Sequence, residues 1–304
     1  MILQPGIHND IPAEVYHADP TPGIALSNSV AQVLLSSSPM HACLCHPKLN
    51  PDLVRKRKNE LDFGSAAHDM LLEGGTEKIC VIRPEDYPSK PTKAAPQGNV
   101  PHGWTNDAIR AARDLAYSNG LIPCLPWDLK TITEMAAEAR AFVALSEIGD
   151  LFADGRPEVV LVWQEDNGVW CRAMIDWLTR DNVRALDYKS TTSAEPDAFG
   201  RHMRSMGYAI QSAFYRRGLR RLAECEPEFY FLAQEVAAPH ACSLHALSNA
   251  STEIADAKVE RAIQVWGDCL ASGEWPGYGG RVHYQEPTTW EMTEHEQYLQ
   301  EQTQ

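Results

Sequence analysis

The sequence predicts a mixed α/β fold: one central sheet flanked by helices. Three observations carry this. Residues 157–192 hold three apolar runs separated by two polar turns. Segments on both sides, 105–147 and 197–222, return to apolar residues at helical spacing. A fourth apolar, aromatic-rich run, Glu228 to Val236, follows the second of these segments. The order helix, three-strand meander, long helix, strand, helix is that of a sheet covered by helices.

Each element has its own signal. Ser27 ahead of NSVAQVLL predicts an N-cap and a helix, which Ser36-Ser37-Ser38-Pro39 ends. Residues 61–73 predict a second helix, with Gly64, Ser65, Ala66 and Ala67 small enough for close packing. Residues 84–104, rich in Pro, Lys and Gly, predict a loop. Residues 105–119 and 129–147 predict two helices joined by the loop LIPCLPWD. Val159 to Trp163 opens the meander, and Asn167-Gly168 is a strong hairpin signal. Trp170 to Leu178 and Val183 to Tyr188 are the next two strands, with Asp181-Asn182 as the turn between them. One helix is expected over 197–222 and another over 252–272, with a short helix at most in the acidic tail.

A chain of 304 residues suffices for one large domain. We expect it to span 1–285, with an N-terminal elaboration over 1–60, a core over about 61–276, and a polar tail over 286–304. Hydrophobic content of 44% and charged content of 22% are ordinary for a globular protein. No apolar run approaches the ~18 residues of a membrane span, and the N-terminus lacks a signal-peptide pattern. A cytoplasmic protein is expected. Eight cysteines at irregular spacing, with no CxxC pair, argue against a disulfide framework. His41, Cys43, Cys45 and His46 could be drawn as a metal cluster, but the spacing suits buried or surface thiols better.

The net charge of −14 argues against a general polyanion binder. It leaves room for local basic patches around an acidic site. Two exist: Arg55-Lys56-Arg57-Lys58, and the predicted helix carrying Arg201, Arg204, Arg216, Arg217, Arg220 and Arg221. A solvated charged face explains either patch equally well.

The meander carries the chemistry. A two-residue turn at Asp181-Asn182 would set Asp176 opposite Asp187, with Cβ atoms about 5 Å apart. Lys189, two residues on, would share their face. Two carboxylates so placed repel unless a cation lies between them, and oxygen ligands suit Mg²⁺ or Mn²⁺ better than Zn²⁺. Glu158 depends on the first hairpin. A two-residue turn at Asn167-Gly168 would face it away, whereas a three-residue loop over 166–168 would set it opposite Asp176. A solvated pair of strand-end aspartates fits poorly, because AMIDWL and RALDY are apolar settings that should bury both acids.

Asp176 followed by Asp187-Tyr188-Lys189 resembles the motif of the PD-(D/E)xK nuclease superfamily. Residues 63–73, FGSAAHDMLLE, are similar to the G-x-x-x-H-x-x-L-E helix of RecB-type nucleases, and Gln211 to Tyr215 to their Q-x-x-x-Y helix. The opening stretch GIHNDIPAEVYHADPTPGIALSNSVAQVL and Glu274-Trp275-Pro276 look like the exodeoxyribonuclease VIII (RecE) group. The resemblance covers most of 6–276. It is weakest over 80–150 and absent in the tail. It implies a restriction-endonuclease-like core, with His68, Asp176, Asp187 and the Tyr188 carbonyl as metal ligands and Glu158 as an acid near the metals. Without it, His68 would read as a core histidine. Lys189 would orient or deprotonate water and stabilise phosphate charge. Gln211 would position substrate or Lys189, and Tyr215 lies one turn later on the same face.

The resemblance further implies a Mg²⁺-dependent exonuclease, with Mn²⁺ as substitute, that degrades the 5′-ended strand of linear duplex DNA. It would leave 3′ overhangs for phage-type recombination. Its partners would be double-stranded DNA ends, a RecT-like single-strand annealing protein and further copies of itself in a ring. A ring would gather Arg201, Arg204, Arg216 and Arg217 into a channel that binds DNA. The spaced cysteines of iron–sulfur relatives are missing, so no iron–sulfur cluster is expected. The alternatives are a single-strand nuclease or endonuclease of the same fold, and an inactive module that binds DNA or a partner.

Overall fold

Three long strands make the centre: β5 (Gly155–Gln164), β6 (Trp170–Thr179) and β7 (Arg184–Thr191) in a computed structural model that describes residues 1–53, 62–76 and 78–302. The basic run 55–58 lies outside the described residues. β5 and β6 pair antiparallel, as do β6 and β7. β7 then runs parallel to β8 (Glu228–Glu235) over eight residue pairs, so the sheet is mixed. β1 (Gly6–His8) and β9 (Cys242–His245) pair with β5 and β8 respectively, giving the order β1-β5-β6-β7-β8-β9, and β2 (Leu26–Ser27) pairs with β6. Strands of two to four residues carry too little alternation to be read in a sequence. Their long partners create them.

One face of the sheet is covered by α2 (Asn28–Ser36), α8 (Tyr208–Ala223) and α9 (Asn249–Ser272). Leu161, Trp163, Ile175, Phe214, Phe231 and Trp266 fill that core. Gly218 is what lets α8 approach, since a Cβ there would meet Trp163 at 2.8 Å. The other face carries α4 (Asp62–Leu72) and α6 (Pro126–Ala144), packed on Trp177, Leu186, Tyr188 and Leu232.

Several sequence expectations are corrected. The helix expected over 197–222 is two, α7 (Pro196–Ser205) and α8, with Gly207 at a left-handed φ of 68° between them. The loop LIPCLPWD contains β4 (Ile122–Cys124), parallel to β3 (Ile79–Val81), between α5 (Asp107–Ser118) and α6. Ser38 both follows α2 and caps a further helix, α3 (Pro39–Leu44), by accepting from the His41 amide. Ser27 is the N-cap residue of α2 without a side-chain cap bond. The tail holds α10 (Thr289–Glu301), exposed along its length.

The N-terminal elaboration, which includes α1 (Ala13–His17), is tied down by one buried acid. Asp19 accepts from the Ala25 amide at 3.0 Å and the Thr21 hydroxyl at 2.7 Å. It also pairs with Arg172 at 3.2 Å, His46 at 3.3 Å and Lys48 at 3.3 Å. Arg172, on β6, lies over the Tyr16 ring and donates to the Tyr16 carbonyl. Among the described residues, no helix is long and apolar enough to cross a membrane.

Candidate active site

The meander register decides the point the sequence left open. Glu165 and Val169 bracket a three-residue loop, and Gly168 takes the φ of 84° that closes it. The β5–β6 pairs Pro157↔Trp177 and Val159↔Ile175 then bracket Glu158 and Asp176 as opposed residues. Glu158 itself has φ of 50°, a left-handed conformation costly for a residue with a Cβ. Strain of that kind inside a strand marks a place where side-chain direction matters more than regular pairing.

The β6–β7 pairs Trp177↔Leu186 and Leu178↔Ala185 are in the register that opposes Asp176 to Asp187. Beyond them the strands part, and the Tyr188 amide donates to Asp176 Oδ2 at 2.9 Å instead. The expectation of one shared face is therefore corrected. α4 meets Asp176 and Glu158 from one side of the sheet, and α8 meets Asp187 and Lys189 from the other. The parting of β6 and β7 joins the two halves.

On the α4 side, His68 Nε2 lies 3.3 Å from Glu158 Oε1 and 3.4 Å from Asp176 Oδ2. These three side chains offer donor atoms all within 4.8 Å of one another. Gly64, one turn before His68, explains the approach: a Cβ there would stand 2.6 Å from Ser190 Oγ on β7. His68 Nδ1 is 3.2 Å from Asp69 Oδ1, an orientation common for a metal-binding histidine. Asp187 lies outside this trio, across the gap between β6 and β7. It is buried, ion-paired with Lys189, and accepts from Gln211 Nε2 at 2.5 Å. Tyr215 is buried in the core under α8, one turn after Gln211. Tyr188 contributes its amide here, while its hydroxyl donates to Gln234 at 2.8 Å.

The electrostatics are strained. Burial pushes the Glu158 carboxyl up to about 7; the His68 charge opposes this and Asp176 adds to it. Burial and the Asp176 charge push Asp187 up to about 6, against the pull of Lys189. Asp176 is itself held below its ordinary value: burial works upward, but His68, Lys189 and the Tyr188 amide outweigh it. Burial disfavours charged His68, yet Asp176, Asp69 and Glu158 hold it well above its ordinary value. Too many acids share too few cations. A divalent ion would relieve that imbalance, and one imidazole with carboxylates is a donor set able to hold one.

The arginines divide. Arg216 pairs with Glu226, and Arg217 with Glu165 at 2.7 Å and Glu260 at 2.7 Å. Arg220 and Arg221 likewise meet Glu226, Asp256, Glu165 and Asp166. Acids elsewhere in the chain thus neutralise the α8 arginines, which corrects the expectation that Arg216 and Arg217 are open to DNA. Arg201 and Arg204, on α7, are exposed. Sequence reasoning missed Tyr208, whose ring lies 5.0 Å from Lys189 Nζ. Its position three residues before Gln211 was the signal that could have found it.

The fold is similar to the crystal structure of a candidate exonuclease from Eubacterium rectale, with a TM-score of 0.53 and 14% identity over 94% of this chain and 99% of that one. At that identity the likeness speaks to fold alone. A second solved structure, SSO0001, is 12% identical over 69% of this chain and 87% of that one, with a TM-score of 0.27, and carries no argument. None of the curated proteins matches the chain. A family model described as a PDDEXK-like domain of unknown function matches residues 35–288. That match spans most of the chain, including every acid, the lysine and the histidine of the site. The mixed sheet flanked by helices is the restriction-endonuclease-like fold that such a domain requires, and the chain belongs to this PDDEXK-like family, DUF3799.

Proposed function

We propose that the protein is a Mg²⁺-dependent DNA exonuclease, with Mn²⁺ able to substitute. One observation carries the reading: His68, Glu158 and Asp176 converge within 4.8 Å beside the Asp187–Lys189 ion pair. His68 Nε2, Glu158, Asp176 and, across the strand gap, Asp187 would hold the ion. Bound there, it would activate a water and neutralise charge developing on the phosphate. Lys189 brings a protonated ammonium to the same place, able to hold a phosphate oxygen or orient the water. Gln211 fixes the Asp187 carboxylate, so that Lys189 is not its only support. Arg201 and Arg204 on α7 are the arginines left for the DNA backbone.

The polarity and the setting rest on the resemblance to RecE-type enzymes. In that reading the enzyme removes the 5′-ended strand from linear duplex DNA and leaves a 3′ overhang. It works in the cytoplasm as a ring of identical subunits and passes the overhang to a RecT-like annealing protein. The exposed arginines of α7 would line the ring, which reconciles DNA binding with a net charge of −14. Digestion of duplexes labelled at either end, with and without Mg²⁺, tests this. Loss of the 5′ label from linear DNA, with circular DNA left intact, is expected. Products from circles would instead favour an endonuclease, and no Mg²⁺-dependent product from any DNA would favour a binding module.

A further inference from the structure

We propose that Tyr208 is a positioning residue for Lys189, and that α8 holds the two halves of the Asp187–Lys189 pair separately. The inference rests on the nuclease reading above. Gln211 and Tyr208 lie three residues apart, on one face of α8. Gln211 donates to Asp187 Oδ1, while the Tyr208 ring lies under the Lys189 ammonium, 5.0 Å from its centroid. The ring is itself fixed. It stacks on Phe231 of β8 at 5.4 Å with an interplanar angle of 18°, and meets His202 of α7 edge-on at 5.7 Å and 86°. Phe231 is fully buried, so the platform is rigid.

The arrangement matters because Asp187 has two claims on it. The ion pair holds Lys189 only while Asp187 faces it. When Asp187 turns its charge to a divalent ion, the ammonium loses part of that hold. An aromatic face attracts a cation without accepting its proton or neutralising its charge. Tyr208 therefore keeps Lys189 placed, and leaves its N–H groups free to meet a phosphate oxygen or the water. The geometry also accounts for α8 starting at Tyr208. Gly207, in its left-handed conformation, turns the chain so that the first residue of the helix reaches the end of β7.

The test is a series at position 208 in the full-length chain, assayed for Mg²⁺-dependent digestion of linear duplex DNA. Tyr208→Leu keeps an apolar side chain on Phe231 but removes the aromatic face. It should lower kcat about 10-fold with little change in KM for DNA. Tyr208→Phe should recover most of the rate. Incorporating phenylalanines with one, two and three ring fluorines at 208 weakens the face while nearly preserving shape. The logarithm of kcat should fall stepwise along that series, at constant melting temperature. Equal rates across the fluorinated series, or a Tyr208→Leu enzyme as fast as Tyr208→Phe, would overturn the proposal. Loss of Tyr208→Leu through misfolding leaves the fluorinated series to decide. An inactive wild-type chain would instead count against the nuclease reading itself.

Discussion

Two groups of acids in this chain, Asp19 and the acids of the site, have opposite environments. Asp19 is surrounded by donors: an amide, a hydroxyl, Arg172, His46 and Lys48. Its carboxyl is lowered to about 2, although burial alone would raise it. Half-buried Glu158 and buried Asp187 sit beside Asp176 and are raised to about 7 and about 6. Asp19 is an anchor: it ties the N-terminal elaboration to Arg172 on β6. The site acids are poorly satisfied by the protein itself, and Glu158 is held in a left-handed backbone as well. A fold tolerates such an arrangement when a ligand supplies the missing charge. The contrast separates a structural acid from a functional one without reference to any relative.

The largest expected effect is at the site. Lys189→Ala should lower Mg²⁺-dependent digestion about 10²–10³-fold, because it removes a positioned cation from developing phosphate charge. Circular dichroism should show the fold retained. The anchor should behave in reverse. Asp19→Ala leaves Arg172 buried without its acid and should cost about 3–5 kcal/mol, read as a lower denaturation midpoint in urea.

The two kinds of acid should also titrate in opposite directions. Asp19 is depressed from 3.8 to about 2, so it contributes stability above the unfolded value. That contribution, about 2 kcal/mol, is lost as pH falls from about 4 through 2, and Asp19→Asn should flatten the acid limb of stability against pH. Glu158 has the opposite sign. Its folded value of about 7 exceeds its ordinary 4.5, so the metal-free protein should lose stability as pH rises through that window. Glu158→Gln should reduce that slope and leave the part, at lower pH, that comes from Asp187. The smallest effects fall on the arginines. Arg201→Ala and Arg204→Ala should each reduce the slope of log affinity for DNA against log salt by about one. Arg217→Ala should leave that slope unchanged, because Glu165 and Glu260 already neutralise it.

Much of the site was legible because it lies on long, regular strands. The β6–β7 turn at Asp181-Asn182 sets the register that opposes Asp176 to Asp187, as periodicity implied. Glu158 depended on one extra loop residue, and only the conformation of Gly168 decides it. The parting of β6 and β7 was not legible. It arises where Asp176 takes the Tyr188 amide, a contact between elements that no local pattern encodes. The arginine patch misled for a similar reason. Its charges are visible in sequence, but Glu165, Glu226, Asp256 and Glu260 reach it from other elements. Tyr208 went unread because an aromatic in the middle of the helix expected over 197–222 looks like core, and it does pack on Phe231 of the core.

The proposed function requires the strained acids to hold a divalent cation. Thermal unfolding at pH 8, with and without Mn²⁺, tests it most directly. At an ion concentration about 100-fold above Kd, wild-type protein should gain about 2.7 kcal/mol and melt several degrees higher. Glu158→Gln should melt no lower than wild type without the ion and lose most of that rise. A wild-type melting temperature indifferent to Mn²⁺ and Mg²⁺, or an undiminished rise in Glu158→Gln, would rule out a divalent-cation site at these acids.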